Sequence, residues 1–256
     1  MLPKLTLVGA GPGDPDLISI KGMKAIASAD VILYDALIHP DLLNYAKPGS
    51  LKIYVGKRAG KHHYSQDQIN QLIVEYAFSH GQVVRLKGGD PFIFARGKEE
   101  MEYAETFNIQ TEAILGISSI NLPGYYGIPL TRRGVNESFW VITATTSNGE
   151  LSTDLELAAK SDATVVVLMG LNKIAEIVKI FKREFKNDLP LAVISKGSLE
   201  DHTLVLATVG SINGQLSKYK IETPAIIVIG EAVGTHEFYY EKVRNLLSVD
   251  NQTKIK

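Results

Sequence analysis

Short aliphatic and β-branched runs, recurring along the whole chain, constrain this sequence more than any other feature. They fall at residues 5–8, 31–34, 52–55, 83–86, 139–143, 164–169, 191–195, 204–207 and 225–229. Several are apolar at every position, so both faces of such a strand must be covered, which is the mark of a buried strand. Between them lie helical patterns. The clearest spans residues 65–80: Ser65 and Gln68 have capping-box spacing, Ile69, Leu72, Ile73, Tyr76 and Ala77 form one stripe, and Gly81 supplies a stop. A second stripe consists of Ile174, Ile177, Val178, Phe181 and Phe185. Alternation of strand and helix predicts an α/β protein.

Gly, Pro and polar residues gather at 123–136, and the alternation resumes beyond them. This predicts two α/β lobes, residues 1–134 and 135–247, with a cleft between them and a polar tail at 248–256. The 256 residues are 45% hydrophobic and 21% charged, enough for each lobe to bury a core. A formal net charge of −1 gives no global attraction to nucleic acid or to a membrane surface. The absence of cysteine excludes disulfides, thiolate metal sites and a cysteine nucleophile, and fits a cytoplasmic protein. No apolar run approaches the ~20 residues of a membrane span. Glycosylation sequons at Asn136 and Asn251 are read as chance matches.

Three turns follow apolar runs. The first, residues 9–15, reads Gly-Ala-Gly-Pro-Gly-Asp-Pro. It superficially resembles a dinucleotide fingerprint, and Asp35 ends the next strand where a ribose-binding acid would sit. Asp14 occupies the third glycine position, however, and Pro12 and Pro15 keep a helix from starting at once. The second turn begins Lys87-Gly88-Gly89-Asp90-Pro91 and ends at Arg96-Gly97. Two glycines and an acid at a strand end suit a ligand with hydroxyls, although Asp-Pro also starts ordinary turns. The third, residues 115–119, brings Ser118 and Ser119, which either face the cleft or cap the next helix; by itself the cap is favoured.

The charge balance conceals local basic clusters. Lys57, Arg58, Lys61, His62 and His63 follow a strand, and Arg132 and Arg133 lie at the expected lobe junction. With Arg85, Lys87 and Arg96 they are expected to border one cleft that attracts a polyanion, since guanidinium forks suit carboxylates. No P-loop, G-x-S-x-G or H-E-x-x-H pattern occurs, and no metal is expected.

The segments 8–17, 54–61, 85–100, 116–133, 169–170 and 224–231 resemble the uroporphyrinogen-III C-methyltransferases of the tetrapyrrole methylase superfamily. Most specific is the run from Arg85 through Leu86, Lys87, Gly88, Gly89, Asp90, Pro91, Phe92, Ile93 and Phe94 to Arg96-Gly97. The resemblance covers residues 3–245. It implies a homodimer that holds S-adenosylmethionine in a folded shape between two α/β lobes and methylates a tetrapyrrole, uroporphyrinogen III, at carbons 2 and 7. Positions matching the family's cofactor contacts are Pro12, Gly88, Gly89, Asp90, Ile93, Ser118, Ser119, Met169 and Ala225. Asp35, Arg96 and Glu99 match active-site positions, and Arg58, Arg132 and Arg133 are the expected substrate anchors. Departures from the family pattern include Leu115 for proline, Ser118 for threonine, Ala95 and Lys98 for glycines, and the stretch Ala144-Thr145-Thr146-Ser147. A methylase for another precorrin and a nicotinamide-dependent reductase are the competing readings.

Overall fold

The computed structural model describes residues 2–56, 64–239 and 241. They form two compact units, Met1–Ser119 and Ile120–Lys256.

The first unit is a five-stranded, all-parallel sheet in the order β3-β2-β4-β1-β5. Its strands are β1 (Lys4–Gly9), β2 (Val31–Tyr34), β3 (Leu51–Tyr54), β4 (Gln82–Lys87) and β5 (Gln110–Ile114). Side chains alternate across the sheet. Leu5, Leu7, Val31, Leu33 and Val83 meet Ile69, Ile73 and Ala77 of α2 (Gln66–His80) and Ala104 of α3 (Gly97–Glu105). Val8, Ile32, Val84, Leu86 and Ile114 pack with Ile26 of α1 (Ile20–Ser28) on the other face. The α2 capping box is complete, with Ser65 and Gln68 each accepting from the other's backbone N–H, and Gly81 ends the helix at φ 101°.

The second unit has a mixed sheet in the order β6-β7-β10-β8-β9. Its strands are β6 (Phe139–Thr143), β7 (Thr164–Leu168), β8 (Pro190–Ser195), β9 (Thr203–Thr208) and β10 (Ala225–Ile229). Only β6 and β7 run parallel; β7–β10, β10–β8 and β8–β9 are antiparallel. One face is covered by α5 (Asp154–Lys160) and α6 (Ile174–Arg183), which bury Leu155, Ile177 and Phe181 against Val165, Val193 and Ile227.

Three expectations are corrected by packing. Leu122 and Ile128 belong to the second unit's core, so the boundary between units falls after Ser119 and not near residue 134. Phe185 lies beyond the end of α6, at φ 58°, and is 97% exposed, whereas Ile174, Ile177, Val178 and Phe181 form the buried stripe as expected. Between 196 and 202 the chain makes no helix, so strict strand–helix alternation lapses between β8 and β9.

Candidate active site

Three loops leave the carboxyl ends of neighbouring strands in the first unit: 9–15 after β1, 88–96 after β4 and 115–119 after β5. They touch backbone to backbone. Gly11 N donates to Gly89 O at 3.3 Å and Gly89 N to Gly11 O at 2.7 Å. A Cβ on Gly116 would lie 2.2 Å from Gly89 O and 2.7 Å from the Gly9 Cα, so no side chain fits there. The result is a close-packed junction of three loops at a sheet's carboxyl end, where ligands of α/β sheets bind. After the first loop comes a short 3-10 turn, Pro15–Leu17, and α1 starts only at Ile20, with Ser19 as its cap. The prolines thus displace the helix N-terminus from the glycine turn, which removes the pyrophosphate site that a dinucleotide would need.

Asp90 is 8% exposed and acts as a staple: Oδ1 accepts from Phe92 N at 2.8 Å, and Oδ2 from Gly116 N at 3.1 Å. The turn-forming and ligand-binding readings are therefore compatible, because each carboxylate oxygen keeps a second lone pair. Gly88 and Gly89 are half-buried beside it, Ile93 is half-buried and Pro12 lies in the neighbouring loop. Ser118 is buried, Ser119 is half-buried, and the following α4 (Leu122–Tyr125) has Asn121 at its N-cap position with no side-chain cap bond. Ser118 directly precedes a 3-10 turn, Ser119–Asn121, which leads into α4.

The 88–96 loop closes with Phe94 and Arg96 both left-handed, at φ 54° and 61°. For residues with side chains this backbone costs about 1–2 kcal/mol each. It turns Arg96 outward at the start of α3, where Nε reaches both Glu99 oxygens at 3.0 and 3.1 Å. Both side chains are about half exposed. The mutual hydrogen bond holds the Glu99 carboxyl below its ordinary range and raises the Arg96 guanidinium above its own.

Beneath the loop the chemistry is different. Arg85 and Lys87 project from β4 on the face covered by α2 and α3, and each is 4% exposed. Glu100 of α3 has no exposed surface. Its Oε1 accepts from Lys87 Nζ at 2.9 Å, Gln66 Nε2 at 3.2 Å and Arg85 Nε at 3.3 Å, while Oε2 is buried with no hydrogen-bond donor among the described residues. Arg85 Nη1 donates to Leu33 O at 3.3 Å and Leu86 O at 3.0 Å. Nη2 stands 3.7 Å from Asp35 Oδ2. Burial pushes the Lys87 ammonium below the usual lysine range; Arg85 adds repulsion, and Glu100 opposes the shift.

This corrects one expectation: Arg85 and Lys87 do not line an open basic surface, because they are sealed under α2 and α3 and share the Glu100 carboxylate. Glu100 itself escaped the sequence reading. The spacing of buried Gly97, Glu100 and Ala104 on α3 is the signal that separates it from Glu99.

Asp35 follows β2; its Oδ1 accepts from Leu37 N at 3.0 Å, and 22% of its side chain is exposed. In the second unit, Met169 directly follows β7, at φ 55°, and is 59% exposed. Ala225 begins the adjacent antiparallel β10, where Ile226 pairs with Leu168, so both sit at one sheet end. Arg132 and Arg133 are exposed. Their turn is pinned by buried Asn136, whose Oδ1 accepts from Arg132 N at 2.9 Å and whose Nδ2 donates to Leu130 O and Ser138 O, both at 2.8 Å. Arg58 and the basic residues around it lie outside the described residues.

A family model described as tetrapyrrole (corrin/porphyrin) methylases matches residues 4–213. A uroporphyrinogen-III C-methyltransferase of Methanocaldococcus jannaschii is 44% identical over 236 residues, covering 91% of this chain and 98% of the relative. A siroheme synthase of Actinobacillus pleuropneumoniae is 41% identical over 235 residues, but this chain spans only 48% of it. Among solved structures, a uroporphyrin-III C-methyl transferase from Thermus thermophilus, complexed with S-adenyl homocysteine, superposes with a TM-score of 0.77 at 34% identity. That match covers 90% of this chain and 98% of the other.

Proposed function

This chain belongs to the tetrapyrrole methylases, and we propose that it transfers methyl groups from S-adenosylmethionine to carbons 2 and 7 of uroporphyrinogen III, yielding precorrin-2 and S-adenosylhomocysteine. The observation that carries this reading is similarity along nearly the full length of a relative named for that reaction. The close contact of Gly9, Gly89 and Gly116 supports it, because it draws three loops together at the carboxyl end of the sheet, and Gly89 leaves open the space where a side chain would stand.

Pro12, Gly88, Gly89, Asp90, Ile93, Ser118 and Ser119 are the proposed cofactor contacts of the first unit, with Met169 and Ala225 those of the second. The cofactor supplies an electrophilic methyl group on sulfur. An electron-rich porphyrinogen pyrrole needs no covalent enzyme intermediate, so the protein's contribution is orientation and exclusion of water. Exposed Arg132, Arg133 and Arg96, together with Arg58, are suited to the substrate's carboxylates.

A proton must leave the ring after methylation. Glu99 is a poor acceptor, since its bond to Arg96 already stabilises the charged carboxylate. Asp35 suits the task better: one oxygen is oriented by Leu37 N, and the other lies beyond hydrogen-bond distance from Arg85. A homodimer is part of the same proposal.

The test is anaerobic incubation with uroporphyrinogen III and methyl-labelled S-adenosylmethionine, followed by mass spectrometry of the tetrapyrrole. Two added methyl groups are expected. Binding of S-adenosylhomocysteine without methyl gain would retain the cofactor and move the substrate to another precorrin.

A further inference from the structure

The buried charges under the catalytic loop need an explanation that cofactor binding does not provide. Arg85 spends Nε on Glu100 and Nη1 on two carbonyls, and only its Nη2 edge turns toward Asp35. A sealed guanidinium 3.7 Å from a carboxylate would ordinarily close to a charge-assisted hydrogen bond. Here it has not closed, and Glu100 is the reason the geometry offers: it neutralises Arg85 and draws the guanidinium toward α3. Lys87, Gln66 and Asn70 complete this polar cluster, with Gln66 bridging Glu100 and Asn70.

We propose that Glu100 is a positioning residue, which occupies Arg85 and so holds it at ion-pair distance from Asp35 without a direct hydrogen bond, leaving the Asp35 carboxylate available to the substrate. This rests on the reading of Asp35 as proton acceptor. Removing the charge of Glu100 leaves Arg85 with Asp35 as its nearest carboxylate, and the pair should close. Asp35 would then be displaced and its charge spent inside the protein. Glu99, one residue away but directed to solvent and Arg96, cannot take over the role.

The experiment compares Glu100→Gln, Asp35→Asn and the double variant Glu100→Gln/Arg85→Met in the full chain. In a crystal structure of Glu100→Gln, the Arg85–Asp35 separation should contract to about 2.7–2.9 Å. Turnover should fall roughly 100-fold, the scale of a ~1 Å misplacement of a reacting group, with KM for the tetrapyrrole and calorimetric affinity for S-adenosylhomocysteine nearly unchanged. An unchanged separation overturns the proposal whatever the turnover. If Asp35→Asn stays active, the reading of Asp35 fails, while the measured separation still decides what Glu100 does. The double variant removes captor and counter-charge together and leaves one buried cation, Lys87, in place of two, with the glutamine oxygen still able to accept from it. It should fold even if Glu100→Gln does not, and recover most of the lost turnover; a folded, inactive double variant overturns the proposal.

Discussion

Glu99 and Glu100 are consecutive residues of one helix, each paired with an arginine, and they inhabit opposite physical worlds. Glu99 meets Arg96 in water, with both side chains about half exposed. Glu100 meets Arg85 with no exposed surface on one partner and 4% on the other. In water such a pair gains little, because solvent screens both charges. Inside the protein each charge depends on the other for the hydration it has lost. The same two residue types thus give an adaptable surface contact in one place and a rigid support in the other. What separates them is a rotation of about 100° around the helix axis.

The most severe way to break this contrast is to delete each carboxylate. Glu100→Ala should cost about 3–5 kcal/mol in urea denaturation, since it strands two buried cations. Glu99→Ala should stay within about 1 kcal/mol. Equal losses would mean that burial is not what distinguishes the pairs.

Arg96 sharpens the contrast from the functional side. Its left-handed backbone is tolerated by glycine at no steric cost. Arg96→Gly should therefore be more stable than Arg96→Ala by about 1 kcal/mol in thermal or urea unfolding. Both variants should lose turnover and keep their affinity for S-adenosylhomocysteine. Equal stability would show that the φ of 61° carries no strain.

Glu112 is the intermediate case and should give the smallest effect. Lys21 and Lys4 hold its carboxyl down at about 2, with the side chain 32% exposed. A depressed carboxylate stabilises the fold above its unfolded value and loses that contribution as pH falls through the folded value. The stability gap between the wild type and Glu112→Gln should thus be full above pH 4.5, shrink toward about pH 2, and remain under about 1 kcal/mol after solvent screening. A gap independent of pH would assign it to packing.

The frame of this molecule was legible in its sequence wherever local rules act alone. β2 and β6 fall at the expected residues, as does α2 with its cap and stop, because β-branched runs and capping chemistry are short-range signals. β5 carries no such signal. It lies at the edge of its sheet, where Gln110, Thr111 and Glu112 face solvent in part and no alternating pattern is required. The glycine turns were also readable, but not their convergence, which is long-range: Gly9, Gly89 and Gly116 are far apart in sequence. In the sequence Lys87 and Arg85 look like surface cations, since charge usually means exposure. Only the packing of α3 on β4 supplies the buried carboxylate that reverses this inference.

The meeting of Gly9, Gly89 and Gly116 also limits how the sequence can vary. A methyl group at Gly9 or Gly116 pushes on the same few backbone atoms, with Gly89 O at 2.7 and 2.2 Å respectively. The first replacement must spread the three loops, and a second then enters space already opened. The positions should therefore be strongly epistatic, with the double substitution costing far less than the sum of the singles. Drift away from glycine at either position is blocked at its first step, so Gly9 and Gly116 are inherited as one character.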